Sequence, residues 1–294
     1  METLVLSGID ASKSVYDSLP FRINALKDKK VTPGLAVILV GENPASKVYV
    51  KSKSNRFSNL NLFSETFTFN SDISELELIN KINELNNDNR FHGILVQLPL
   101  PKHIDSDLII NTIDPNIDVD GFHPYNQGCL MAGKPIFIPC TPKGVMKIFE
   151  FYNIELTGKH VVIIGRSNIV GRPQSILTSL KGRYSNATTT LCHSGTKNLF
   201  DYTSNADIVI MAMGSPEFLT SEHVKNGSII IDVGINRIKS NNHKGYSLVG
   251  DASFESMIGK VSAITPVPGG VGPMTIAMLV ENTIYSAERM NNPL

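Results

Sequence analysis

The segment HVVIIGRSNIVGRP, residues 160–173, constrains this chain more than any other stretch. An apolar run ends at Gly165 and amphipathic sequence resumes near Val170, which reads as buried strand, glycine turn, helix start. Gly165 permits a sharp turn, and Gly171 lets the helix pack close to the strand. A helix beginning there aims backbone N–H groups at a pyrophosphate. Ser167 stands where the usual G-x-G-x-x-G has its middle glycine, so the glycines alone are a weak signal. The next predicted strand, in ATTTLCHS (187–194), strengthens it. An NAD site places Asp or Glu at that strand end to bind the ribose 2′-OH. Here the strand ends without an acid, with Arg166 in the turn and the hydroxyl of Ser194 beyond it. A cation and a hydroxyl without a carboxylate suit a 2′-phosphate, so NADP is favoured over NAD. The competing reading is a solvated loop arginine and a helix-capping serine.

Strands alternate with helices around this segment. LAVILVG (35–41) reads as a strand, and the stretch from Ala45 as a helix after an Asn-Pro start signal. FSETFTF alternates with period two and suits an edge strand. The stretch from Ser74 carries Leu and Ile at helical spacing. GILVQLPLP (93–101) reads as a buried strand stopped by prolines, followed by a short helix from Asp105 to about Thr112. This is a βαβαβ pattern, hence a largely parallel sheet with helices on both faces. Residues 114–144 read as a long, loop-rich connection, functional or linking. A second domain then opens with a helix from Thr141. Its strands are expected near 160–164, 187–192, 206–214, 228–236 and 262–267, and a helix starts at Pro273. The fold class is therefore α/β in two domains. The expected division is 1–140, completed by a C-terminal helix 276–294, and 141–275 as the dinucleotide-binding domain.

At 294 residues the length also suggests two domains. Lys plus Arg and Asp plus Glu number 27 each, which gives no basic footprint for nucleic acid and no polybasic membrane anchor. No apolar run is long enough to span a bilayer, and the N-terminal residues lack a signal-peptide pattern. Cys129, Cys140 and Cys192 lack metal-ligand spacing, so no metal is expected. Sparse cysteines fit a reducing cytoplasm. No G-x-S-x-G, H-E-x-x-H or P-loop is present, which removes the common hydrolase, zinc-protease and kinase readings.

Tyr49 and Lys53 lie four apart on one predicted helix face. That helix follows the first strand, so it starts at the carboxyl edge of the sheet, where open α/β folds bind ligands. Gln97 is a polar amide in an apolar strand and needs a partner; Lys53 is within reach. Desolvation would lower the lysine pKa towards useful acid–base chemistry. Asp118 and Asp120 in IDVDGFHP are either turn residues or carboxylates for a cationic or amide-like heterocycle edge. TPVPGGVGPMT (265–275) could cradle a ring or pyrophosphate. DVGIN (232–236) and MAMGSP (211–216) end neighbouring strands. His123 and His193 read as packed or capping residues.

Taken in order, the Tyr49-to-Lys53 helix, VQLPLP, DVDGFHPYNQG, FIPCTPKGV, VVIIGRSNIVGRP, CHS, DVGIN, VGD and ITPVPGGVGPMT span nearly the whole chain. In this order they resemble the bifunctional methylenetetrahydrofolate dehydrogenase/methenyltetrahydrofolate cyclohydrolase family. The resemblance implies oxidation of 5,10-methylenetetrahydrofolate with NADP, then hydrolysis of the methenyl product to 10-formyltetrahydrofolate, in a cleft between the domains. It implies an N-terminal three-layer α/β catalytic domain and a Rossmann-like domain, with the C-terminal helix packing back on the first. It assigns acid–base catalysis to Lys53, tuned by Gln97, folate stacking to Tyr49, and the pterin edge to Asp120. Val96, Leu98, Pro268, Gly269, Gly270 and Val271 would line the folate site. Gly165, Arg166, Ser167 and Ser194 would hold the cofactor, with Ile235 beside the nicotinamide. It also implies a cytoplasmic homodimer acting on tetrahydrofolate derivatives, with neither nucleic acid nor membrane as partner. The chain departs from common family residues at Asn116, Gln174, Ser175 and Met213. Alternatives are another two-domain dehydrogenase, of shikimate or amino-acid type, and a non-enzymatic nucleotide-binding regulator.

Overall fold

The computed structural model describes residues 2–242 and 245–291. In chain order the elements are β1 (Leu4–Val5), α1 (Gly8–Asp28), β2 (Gly34–Val40), α2 (Pro44–Asn59), β3 (Phe63–Phe69), α3 (Glu75–Asn86) and β4 (Gly93–Val96). Then come α4 (Ser106–Thr112), α5 (Pro124–Met131), α6 (Cys140–Phe151), β5 (His160–Ile164), α7 (Gly171–Ser179), β6 (Thr188–Cys192), α8 (Leu199–Thr203) and β7 (Ile208–Met211). The chain closes with β8 (Ile229–Asp232), β9 (Asn236–Lys239), β10 (Tyr246–Val249), α9 (Phe254–Met257), β11 (Ala263–Ile264) and α10 (Val271–Asn291). The fold is α/β in two compact units: 15–140 with 276–294, and 1–14 with 141–275.

The first unit is built on a parallel sheet ordered β3-β2-β4. Every residue of the central strand β2 is buried, so helices cover both faces. Ala36, Ile38 and Val40 alternate onto one face, where they meet Leu78, Ile82 and Leu85 of α3 and Ile109 of α4. β3 is an edge strand, and its exposure alternates over residues 65–69. α3 starts where Ser74 and Glu77 form a reciprocal capping box. α10 belongs to this unit from Ile276 onward; the last three residues of the expected 276–294 helix lie outside the described residues.

The second unit carries a parallel sheet ordered β1-β11-β8-β7-β5-β6. Its chain order reverses between β5 and its two neighbours β6 and β7, which makes the carboxyl ends of β5 and β7 a topological switch point. Val162, Ile164, Val209, Met211 and Ile230 form one apolar layer with Leu219, Met257 and Val261.

Several expected elements differ. Residues 1–14 group with the second unit, because Leu4 and Val5 pair with Ala263 and Ile264 of β11. The connection 114–144 is not structureless: it contains α5, begun by Pro124 after a His123 cap, and the start of α6 at Cys140. β4 stops at Val96, so Gln97 follows the strand and is not inside it. The expected strand 228–236 is two elements: β8 ends at Asp232, and β9 pairs antiparallel with β10. The strand expected at 262–267 is shortened to β11. α1 is an additional helix, with Ala11, Val15, Leu19, Ile23 and Leu26 buried at helical spacing.

Candidate active site

In the unit of residues 15–140, α2 places a lysine where a hydrophobe would be expected. Its buried stripe is Ser46, Val50, Lys53 and Phe57, the i, i+4, i+7, i+11 face turned to the sheet. Lys53 is 5% exposed. Its Nζ donates to Gln97 Oε1 at 3.1 Å and lies 5.1 Å from the centre of the Tyr49 ring, one turn earlier. Gln97 is fixed by two further bonds: its backbone N–H donates to Ile38 O (2.9 Å) and its Nε2 to Leu98 O (2.8 Å). Burial pushes the Lys53 ammonium below the ordinary lysine value, opposed by the charge of Asp120. Burial raises the Asp120 carboxyl, opposed by Lys53.

The two aspartates of the DVDG loop have different roles. Asp118 is buried; its carboxylate accepts from Phe122 N (3.2 Å), His123 N (2.8 Å) and Asn126 Nδ2 (2.8 Å). It shapes the loop and is not free for a ligand. Asp120 is half-buried, within electrostatic reach of Lys53 and in side-chain hydrogen-bonding contact with Cys140. Val96 is buried in the sheet core and Leu98 half-buried beside Gln97. His123 caps α5, accepting from Tyr125 N at 3.0 Å, and His193 Nδ1 accepts from Gly195 N at 3.1 Å.

Cys140, a cysteine without metal-ligand spacing, contacts Asp120, and Asn282 carries no motif signal in the sequence. Asn282 of α10 is buried, and its Nδ2 donates to Val119 O (2.8 Å) and Ile138 O (3.1 Å). It therefore ties Val119, next to Asp120, and Ile138, two residues before Cys140, to a helix 163 and 144 residues further along the chain. Nothing local in the sequence announces that contact.

In the other unit, the turn after β5 has no space for a side chain at Gly165 or Gly171. Gly165 has φ +123°, and a Cβ there would lie 2.1 Å from Ala212 O; one on Gly171 would lie 1.8 Å from Gly165 O. Ser167 Oγ accepts from Val170 N at 3.1 Å, which braces the turn, and no side chain caps the N-terminus of α7. Ile164 pairs with Cys192 at the ends of β5 and β6, so Arg166 and Ser194 stand two residues beyond paired strand ends. Both are exposed. Ile235, between β8 and β9, is 52% exposed. Pro268 is exposed, Gly269 and Gly270 are held against Gly8, and Val271 is buried at the start of α10. Gly8 N donates to Gly269 O at 2.9 Å. Asp232 at the end of β8 accepts three backbone N–H groups, from Gly234, Asp251 and Ala252, yet burial raises it to about 7.

These residues fit a dinucleotide: a glycine turn that packs the start of α7 against the end of β5, an uncapped helix start, and a cation and a hydroxyl at adjoining strand ends where an NAD site has an acid. Among the described residues no His/Cys/Asp/Glu cluster suits a metal, and no helix is long and apolar enough to cross a membrane.

Comparison with known proteins places both units. Residues 6–120 match "Tetrahydrofolate dehydrogenase/cyclohydrolase, catalytic domain", and residues 139–291 match "Tetrahydrofolate dehydrogenase/cyclohydrolase, NAD(P)-binding domain". The chain is 47% identical over 288 residues to a "Bifunctional protein FolD" of Acetivibrio thermocellus, covering 98% of each chain. It is similar to the crystal structure of the bifunctional FolD of Campylobacter jejuni (48% identity, TM-score 0.92, 98% of this chain and 99% of that one). It is also similar to the Trypanosoma brucei enzyme complexed with NADP cofactor and inhibitor (33% identity, TM-score 0.94, 99% of each chain). The shikimate-type and regulator alternatives give way to this match over both units. The chain belongs to the tetrahydrofolate dehydrogenase/cyclohydrolase family.

Proposed function

We propose that this chain oxidises 5,10-methylenetetrahydrofolate to the 5,10-methenyl cation with NADP⁺ and then hydrolyses that cation to 10-formyltetrahydrofolate. The observation that carries the reading is the buried Lys53–Gln97 pair beside Tyr49, in a chain whose two halves match the two domains of one folate family.

NADP, when bound, supplies the hydride acceptor. Gly165, Arg166, Ser167 and Ser194 would hold its phosphates, and Ile235 would meet the nicotinamide side. Tyr49 orients the folate by stacking, Asp120 binds its amino-pyrimidine edge, and the strand end 96–98 lines the pterin. Oxidation asks the protein chiefly for alignment. Hydrolysis asks for a base. Water adds to the methenyl carbon, and the neutral amine of Lys53 takes the proton that water loses. The lysine then returns that proton to the ring nitrogen as the C–N bond opens, while the added hydroxyl releases water's second proton to solvent, leaving the formyl group. Burial keeps the neutral amine accessible, and Gln97 Oε1 holds it in place. We further propose a cytoplasmic homodimer.

The test is absorbance with 5,10-methylenetetrahydrofolate and either NADP⁺ or NAD⁺, followed by hydrolysis of added methenyl substrate. Reduction mainly of NADP⁺ and rapid hydrolysis are expected. Lys53→Met should lower hydrolysis by about 100-fold or more while NADP binding persists. Wild-type hydrolysis in that variant would remove Lys53 from the mechanism.

A further inference from the structure

Two buried carboxylates in the unit 1–14 with 141–275 are not used by the chemistry above. Asp251 is 0% exposed. Its Oδ2 accepts from Met213 N (2.8 Å) and Gly214 N (3.0 Å), and its Oδ1 from Ser215 N (2.8 Å) and Asn236 Nδ2 (2.8 Å). One carboxylate thus gathers three successive amides from the loop after β7 and the first side chain of β9. Its own backbone N–H donates to Asp232 Oδ1 at 3.0 Å, and Gly234 N donates to the same oxygen at 2.9 Å.

The glycines on either side make this arrangement possible. A Cβ on Gly234 would lie 2.3 Å from Asp251 Cγ, and one on Gly250 would lie 1.9 Å from Asp232 Oδ2. The glycines of DVGIN and VGD are therefore small because carboxylates fill the space beside them. The result is a fixed spacing between the loop 213–215 and the loop 233–236. Both leave the carboxyl edge of the parallel sheet, where such folds place a ligand. Ile235 sits exposed between Gly234, whose N–H is held by Asp232, and Asn236, whose amide is held by Asp251.

We propose that Asp251 is a positioning residue for the oxidation step: it locks the loops 213–215 and 233–236 together and so sets where Ile235 meets the nicotinamide. The inference rests on the reading that this edge takes NADP. A displacement of an ångström at the reacting carbons is costly in rate, which gives a loop brace leverage over hydride transfer. Methenyl hydrolysis requires no hydride acceptor.

The experiment compares wild type with Asp251→Asn, whose amide turns one acceptor into a donor facing backbone N–H groups. Three readouts are taken: NADP binding by calorimetry, the deuterium isotope effect on dehydrogenation of labelled methylenetetrahydrofolate, and cofactor-free methenyl hydrolysis. Expected are a fall of about tenfold or more in dehydrogenase kcat/KM, a larger isotope effect, and hydrolysis within about twofold of wild type. Asn236→Ala, which releases one donor and leaves 213–215 held, should lower kcat with little change in the KM for NADP⁺. It keeps the test decisive where Asp251→Asn folds poorly. Wild-type dehydrogenase kinetics in both variants, or equal loss of both activities in a folded variant, overturns the positioning role. Failure of wild type to bind NADP overturns the cofactor reading and the inference with it.

Discussion

Lys53 is buried because it occupies a core position of α2, and it can be buried because Gln97, Asp120 and the Tyr49 ring surround it. Arg166 is the opposite case, an exposed cation whose value depends on what binds. Arg166→Ala should raise the KM for NADP⁺ about tenfold more than that for NAD⁺, the loss of one charge-assisted contact to the 2′-phosphate. Equal losses in steady-state assays with the two cofactors would sink the 2′-phosphate assignment. Asp232 gives a pH prediction. Its carboxyl rises from the ordinary 3.8 to about 7, chiefly by burial, so the native state holds a proton that the unfolded chain releases. Its contribution to stability is therefore fully present below pH 3.8 and lost as pH rises through about 7. The ¹³Cγ resonance of Asp232 in aspartate-labelled protein should titrate near that upper value; a midpoint at or below the ordinary one would refute it.

At the scale of elements, period and capping carry most of the first unit. The Ser74 capping box, the alternation of β3 and the helical spacing of Leu78, Ile82 and Leu85 are all visible in the sequence. Ile82 is fully buried between α3 and the sheet, so Ile82→Ala should cost about 2–5 kcal/mol in denaturant unfolding. A change under about 0.5 kcal/mol would mean that the site is not packed as described. The buried positions of α1 have helical spacing, but its sequence signal is weak. Pro20 interrupts it, and a proline in a helix interior removes a donor and crowds the preceding turn. The stretch 114–144 reads as loop for another reason. Its helix α5 is short and contains Gly128, so local propensity is weak, and the buried Asp118–Asn126 bond organises it instead.

At the scale of the whole chain, α10 joins distant segments of the unit it completes. Asn282→Ala would leave the carbonyls of Val119 and Ile138 without this donor, at a cost of about 1–3 kcal/mol. Loosening the Asp120 loop should raise the KM for folate substrates more than that for NADP⁺; unchanged folate KM in the folded variant would count against the link. The sequence by itself determined the α/β class, the glycine turn after β5, the absence of an acid beyond β6, and the ordered motifs that place the chain in its family. Each rests on residues close together in the chain, where period, glycine spacing and turn chemistry act. Only the tertiary structure decided that Lys53 Nζ meets Gln97 Oε1, that Asp118 is structural while Asp120 faces the lysine, and that Asn282 and Asp251 brace distant loops. Apart from the local bonds of Asp118, those contacts join segments dozens to more than a hundred residues apart. A side chain's burial and partners are set there by what the fold brings alongside it, which no local pattern encodes.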